Sequence, residues 1–149
     1  MDRQRLINLL AAVCAITVFG FTFGLMFPLL SLIMESQNIS SALIGYNSAM
    51  HPLGIVFSVF FIPMAVRRFG AKRAVIGSAL ITAAVIVSYP FFPVFTAWFA
   101  LCFLQGFFVS ILFAISEAWI VKFAEGPWRS RILAIYASIL ALSFGGGPV

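Results

Sequence analysis

The sequence holds a single histidine, His51, set in an apolar stretch with Asn47 four residues before it and Pro52 directly after. An imidazole changes charge near neutral pH, so in such a setting it can exchange a proton or hydrogen-bond a solute. Asn47 falls one helical turn earlier on the same face, and Pro52 removes a backbone donor and favours a kink. The three together make a polar notch. Gln105 is the comparable group later in the chain, a neutral amide able to donate and accept at once. Asn47, His51 and Gln105 are therefore candidates for a substrate cavity. Their plainer use is hydrogen bonding between neighbouring helices, as polar side chains do inside membrane bundles. Residue type and spacing leave both uses open.

Other chemistry is sparse. Glu117 ends an apolar run within plausible reach of Lys122, Arg129 or Arg131, and an interfacial ion pair with Arg129 or Arg131 fits it better than contact with substrate. No paired carboxylates, histidine cluster or activated nucleophile is present, so the chain does not read as an enzyme. Cys14 and Cys102 stand alone in separate apolar runs, which supports neither metal-ligand spacing nor a disulfide framework. They read as small apolar packing residues, and neither a metal site nor a cofactor is expected.

The elements that must position these residues follow from composition. Of the 149 residues, 63% are hydrophobic and 9% charged, against roughly 45–50% and 25% in soluble domains. No water-soluble fold of this size hides so much apolar surface. The solvent to reason with is lipid. There every backbone group must be satisfied within its own segment, so the spanning elements are helices. A span takes about 20 residues, leaving room for about five. Apolar runs place them at about 6–34, 42–66, 74–89, 94–121 and 132–149, the last still in progress at the end of the sequence. The expected fold is all-α, a bundle of about five transmembrane helices. The first run is too long for the roughly 7–15-residue core of a signal peptide and reads as a retained span. His51 then lies about 14 Å into span two, near the middle of a ~30 Å hydrocarbon core, and Gln105 at comparable depth in span four.

The nine Lys and Arg residues fix an orientation. Arg3 and Arg5 precede span one; Arg67, Arg68, Lys72 and Arg73 follow span two; Lys122, Arg129 and Arg131 follow span four. The loops after spans one and three hold none. Cytoplasmic loops carry the basic excess, so the N-terminus is expected inside. Gly20 and Gly24 form a small-xxx-small pair suited to close helix packing. Asn38-Ile39-Ser40 has the form of a glycosylation acceptor, but Ser40 and Ser41 read better as caps for span two.

The alternation of long helices, a very short basic second loop and a basic fourth loop resembles the N-terminal half of the major facilitator superfamily. Its loop after span two commonly reads G-x-L-a-D-R-x-G-R-[RK]-x, and residues 63–73 align with it. Arg68, Gly70, Lys72 and Arg73 fit. Pro63 replaces the first Gly and Arg67 the Asp, so the charge at the family's cytoplasmic gate is reversed. Many members carry R-x-x-Q-G in span four; here Gln105 and Gly106 fit, and Cys102 replaces the Arg often linked to proton coupling. Glu117 with Trp119, and Arg129 with Arg131, are similar to an E-x-W and R-x-R sub-group, and residues 145–148 resemble the Gly-Pro motif of antiporters in span five.

The resemblance implies a multi-pass secondary transporter of the plasma membrane, in a bacterium the inner membrane. It implies a small-molecule substrate, no nucleic-acid partner, and residues 67–73 as a gating loop. It also implies that 149 residues amount to an incomplete six-span half, inactive alone and completed by the rest of the transporter; truncation, a gene fragment or a separate partner chain would each explain that. In the family, spans one, two, four and five line the cavity and span three lies outside. A non-transporting membrane bundle or assembly subunit is the alternative, favoured if Asn47, His51 and Gln105 face neighbouring helices with no shared cavity. A small multidrug-type oligomer would want a carboxylate in span one, which has none.

Overall fold

The computed structural model describes residues 24–123 together with Gly20, Ser130, Ala134, Ile135, Ala137, Ser138, Ala141 and Leu142. Among the described residues all regular structure is helical. Helix α1 covers Gly24–Ser36, α2 Ser41–Phe69, α3 Ala71–Ser88 and α4 Phe95–Phe123, with a 3-10 turn at Tyr89–Phe91 between the last two. Three segments are long and apolar enough to cross a membrane: Ser41–Phe69, Ala71–Phe91 and Phe95–Trp119. They overlie the runs read at 42–66, 74–89 and 94–121. Of the first run only Gly20 and the part from Gly24 is described, and most of the fifth lies outside the described residues.

The chain divides into two compact units, Met1–Asn38 with Glu117–Val149, and Ile39–Ser116. In the first unit, α1 ends in a turn at Gln37 and Asn38, where the Asn38 amide donates to the Glu35 carbonyl at 2.9 Å. Asn38 has φ +59°, a left-handed conformation that asparagine tolerates better than most side chains. Leu30 and Met34, one turn apart on α1, are buried.

The second unit holds α2, α3 and most of α4, and its interior inverts the pattern of a water-soluble protein. The buried residues of α2 are Asn47, His51, Gly54 and Ser58, and those of α3 are Ala74, Ser78, Thr82 and Val85. Spacings of three and four put each set on one stripe. The exposed residues are the large apolar ones, with Phe60 76% and Leu80 67% accessible. Lipid tails solvate such side chains as well as another helix would, so association has to come from close backbone approach and interhelical hydrogen bonds. Small and polar residues are inside for that reason.

Two glycines show how close the approach is. A Cβ on Gly54 would overlap the backbone of Phe103 and Phe107, and one on Gly106 would overlap the carbonyl of His51. Beside this contact, Phe57 meets Phe103 edge-on at 5.8 Å between centroids and Phe61 meets Phe107 at 5.5 Å, within the range in which such pairs are favourable. These phenylalanines thus join α2 to α4.

The connection from α2 to α3 is a single residue. Gly70 has φ +80° and ψ 151°, a region open to glycine alone. Its amide donates to Val66 and its carbonyl accepts from Ala74, each at 3.0 Å. The basic segment 67–73, read as a loop, is mostly helix: Arg67 and Arg68 close α2, while Lys72 and Arg73 open α3. At the other end of α2, Ser40 occupies the N-cap with extended backbone but makes no side-chain cap bond. Its carbonyl accepts from Ile44 at 3.1 Å, so the capping expected of the Ser40 hydroxyl is confined to position.

Candidate functional site

Helices α2 and α4 bring Asn47, His51 and Gln105 to one buried polar cluster. Asn47 is 1%, His51 7% and Gln105 2% accessible. Asn47 and His51 share the inward stripe of α2, and Gln105 faces them from α4. Between them lie two residues that sequence reasoning gave other roles or none. Cys102, one turn before Gln105, was expected as an apolar packing residue. Tyr89, in the 3-10 turn after α3, is in the sequence reading only the last residue of the run at 74–89.

Both are wired into the cluster. The Asn47 Nδ2 donates to Cys102 Sγ at 3.3 Å, Tyr89 Oη lies 3.2 Å from the same sulfur, and Tyr89 Oη donates to Gln105 Oε1 at 3.0 Å. A phenol has one proton, and Gln105 takes it. The thiol proton therefore points at the phenolic oxygen, and the bonds form a single directed chain from Asn47 through Cys102 and Tyr89 to Gln105. The His51 ring hydrogen-bonds the backbone of Cys102, so the imidazole joins the cluster through the main chain.

The chain leaves hydrogen-bonding capacity at its ends. Asn47 Oδ1 and Gln105 Nε2 are buried and find no partner among the described residues, as do Thr82 Oγ1 and Trp98 Nε1. An unmet buried group costs about 1–3 kcal/mol. One open acceptor on α2 and one open donor on α4 suit an uncharged solute carrying both functions. Among the described residues, no aspartate, glutamate, lysine or arginine takes part in these bonds. The resemblance set span three outside the cavity, yet its Tyr89 supplies the central hydroxyl. One sequence signal was available, since a tyrosine directly before Pro90 is held at a helix end, where its hydroxyl can return towards a neighbouring helix.

The remaining candidates lie apart from this cluster. Arg67, Arg68, Gly70, Lys72 and Arg73 are together at the turn between α2 and α3, all exposed. Glu117 is exposed on α4, while Arg129 and Arg131 fall outside the described residues. Among the described residues no group of three or more His, Cys, Asp or Glu could hold a metal ion.

Comparison with known proteins agrees with the architecture. The family model for the Major Facilitator Superfamily matches residues 12–149. A relative in Bacillus subtilis (strain 168), the uncharacterized MFS-type transporter YfkF, is 24% identical over 136 residues. The match covers 91% of this chain and 35% of the relative, so the chain spans about a third of the length of the curated relative it matches. No solved structure matches the chain significantly.

Proposed function

The chain belongs to the Major Facilitator Superfamily, and from that premise we propose that it serves solute transport as part of a secondary transporter in the plasma membrane. The match over residues 12–149 carries the reading. Such transporters work by rocking two halves around a site near the membrane midplane, and the activity is proposed for the whole transporter. Residues 1–149 would contribute to its N-terminal half, with spans at about 6–34, 42–66, 74–89, 94–121 and 132–149. The alternation of basic and uncharged connections supports a cytoplasmic N-terminus. In a bacterium, the source of the relative named above, the membrane would be the inner one.

Within this reading Asn47, His51 and Gln105 contact the substrate, a small molecule of unassigned identity. Residues 67–73 act at the cytoplasmic gate, and Glu117 pairs with Arg129 or Arg131 at the membrane surface. The chain acts as no enzyme and needs no cofactor. The open Asn47 Oδ1 and Gln105 Nε2 support the binding role. One observation favours a second reading, a membrane bundle or subunit that does not itself transport: Asn47 Nδ2 and Gln105 Oε1 are already used in bonds between helices.

The experiment is uptake of a panel of radiolabelled solutes into membrane vesicles carrying the complete transporter, wild type or His51→Ala, across pH. The transport reading expects uptake above that of vesicles lacking the protein, lost or pH-shifted in the variant while membrane insertion is retained. Variant kinetics matching wild type at every pH would discard the role of His51. Absence of uptake with intact insertion would favour the second reading.

A further inference from the structure

Four cations crowd the turn between α2 and α3. Arg67 and Arg68 lie in the last turn of α2, Lys72 and Arg73 open α3, and all four are exposed. The sequence from Ile39 to Ser116 contains no aspartate or glutamate, so nothing in this unit offsets a local charge of four. Arg67 contributes to the excess where the family pattern carries an acid.

The surroundings of the turn are lipidic. At ~1.5 Å per residue α2 is about 43 Å long, which exceeds a ~30 Å hydrocarbon core and carries its end into the headgroup layer. Phe69 is 57% accessible and Met64 54%, and on α3 Ile76 is 48%. Exposed apolar side chains thus begin within two turns of the cations on both helices. The Arg68 guanidinium lies 5.8 Å from the Phe69 ring centroid, with its charge at the rim of that apolar surface. The turn is also open: a Cβ on Gly70 would meet nothing within 4 Å. A small free anion is held by enclosure, which is missing here. A headgroup anchored by its own acyl chains needs none.

We propose that this turn docks anionic phospholipid, the headgroup phosphate lying among Arg67, Arg68, Lys72 and Arg73 and the acyl chains along the apolar faces below. Three of the four are arginines, whose planar forks match phosphate oxygens. Each cation at an anionic membrane surface contributes about a fivefold gain in association. The site is independent of whether the transporter moves a solute.

The test uses the full chain in nanodiscs of phosphatidylcholine with a minority of phosphatidylglycerol, one portion of it a photo-crosslinkable analogue. Peptide mapping should concentrate crosslinks on residues 67–73, competed by phosphatidylglycerol and not by phosphatidylcholine or inorganic phosphate. Arg67→Gln should weaken phosphatidylglycerol association about fivefold. The combined Arg67→Gln, Arg68→Gln, Lys72→Gln, Arg73→Gln variant should bind the two lipids equally. Crosslinks spread along the chain, or gathered at Arg3, Arg5, Lys122, Arg129 and Arg131, would overturn the assignment. So would a preference that survives in the combined variant, or equal competition by inorganic phosphate, which would mark a free-anion site. If the combined variant does not accumulate, the wild-type crosslink map decides alone.

Discussion

Gly106→Ala is the change that most directly tests how α2 and α4 are held together. The added Cβ would overlap the His51 carbonyl oxygen and come within 2.9 Å of both the carbonyl carbon and Nδ1 of His51. The obstacle is mainly backbone, so no side-chain rotation relieves it. The helices must separate by on the order of 1 Å, an overpacking cost of about 1–3 kcal/mol. Separation also stretches the 3.3 Å bond from Asn47 to Cys102, and a membrane-buried hydrogen bond contributes ~0.6 kcal/mol. The Phe57–Phe103 and Phe61–Phe107 pairs would loosen as well, at about 0.5–1.5 kcal/mol each if lost. With every one of these contributions lost, the total is roughly 3–7 kcal/mol. The control is Gly77→Ala, where nothing lies within 4 Å of the new Cβ; replacing glycine by alanine in mid-helix should then be neutral or stabilise by up to about 1 kcal/mol. Unfolding in a detergent titration measures both variants. Alkylation of Cys102 by N-ethylmaleimide in a Cys14→Ser background reports the separation, and Gly106→Ala should speed it. Gly106→Ala with wild-type stability and wild-type Cys102 protection would refute the close packing of the two helices.

Gly70→Ala should destabilise by about 1–3 kcal/mol in the same titration, although its Cβ meets only open space, because φ +80° with ψ 151° excludes other residues; wild-type stability would mean that the turn readily adopts another conformation. Tyr89→Phe removes the proton taken by Gln105 Oε1 and the acceptor of the Cys102 thiol, so a loss of about 1–2 kcal/mol is expected, with Gln105→Leu adding little on top of it. Full additivity of those two changes would show that they do not share a bond. Reporter fusions at residue 70 should give a cytoplasmic signal and fusions at residue 92 an external one, since all the basic residues of this unit are at the first site; the reverse result would invert the topology.

The helices were legible because membrane solvation leaves few choices. An apolar run of span length with no charge has to be a helix, and the ends of α2, α3 and α4 differ by a few residues from limits read off the sequence. The single-residue turn was less legible. Arg67, Arg68, Lys72 and Arg73 look like loop residues by composition, but helices that outrun the hydrocarbon keep their backbone bonds in the headgroup layer and carry those cations on the last turn of α2 and the first turn of α3. Ser40 is a similar case, since the N-cap position could be read from residue type while the side-chain bond depends on a rotamer that residue type does not set.

The polar cluster was half legible, for a reason general to membrane bundles. His51, Asn47 and Gln105 stand out because each is polar in an apolar run, but that contrast identifies a buried group without saying what it meets. Cys102 and Tyr89 lack the contrast. A thiol passes for a small apolar residue, and a tyrosine beside Pro90, Phe91 and Phe92 passes for an interfacial aromatic. What gives them their role is the register between helices, set by the Gly106 approach to His51. That approach brings Cys102, one turn earlier on the same face of α4, level with Asn47. Moving α4 along α2 by one residue would rotate Cys102 off the contact by about 100° and leave Asn47 Nδ2 without its sulfur acceptor. The two glycines and the hydrogen-bond chain therefore depend on one another: the close approach makes the bonds possible, and the bonds select this register from others that the small residues alone would allow.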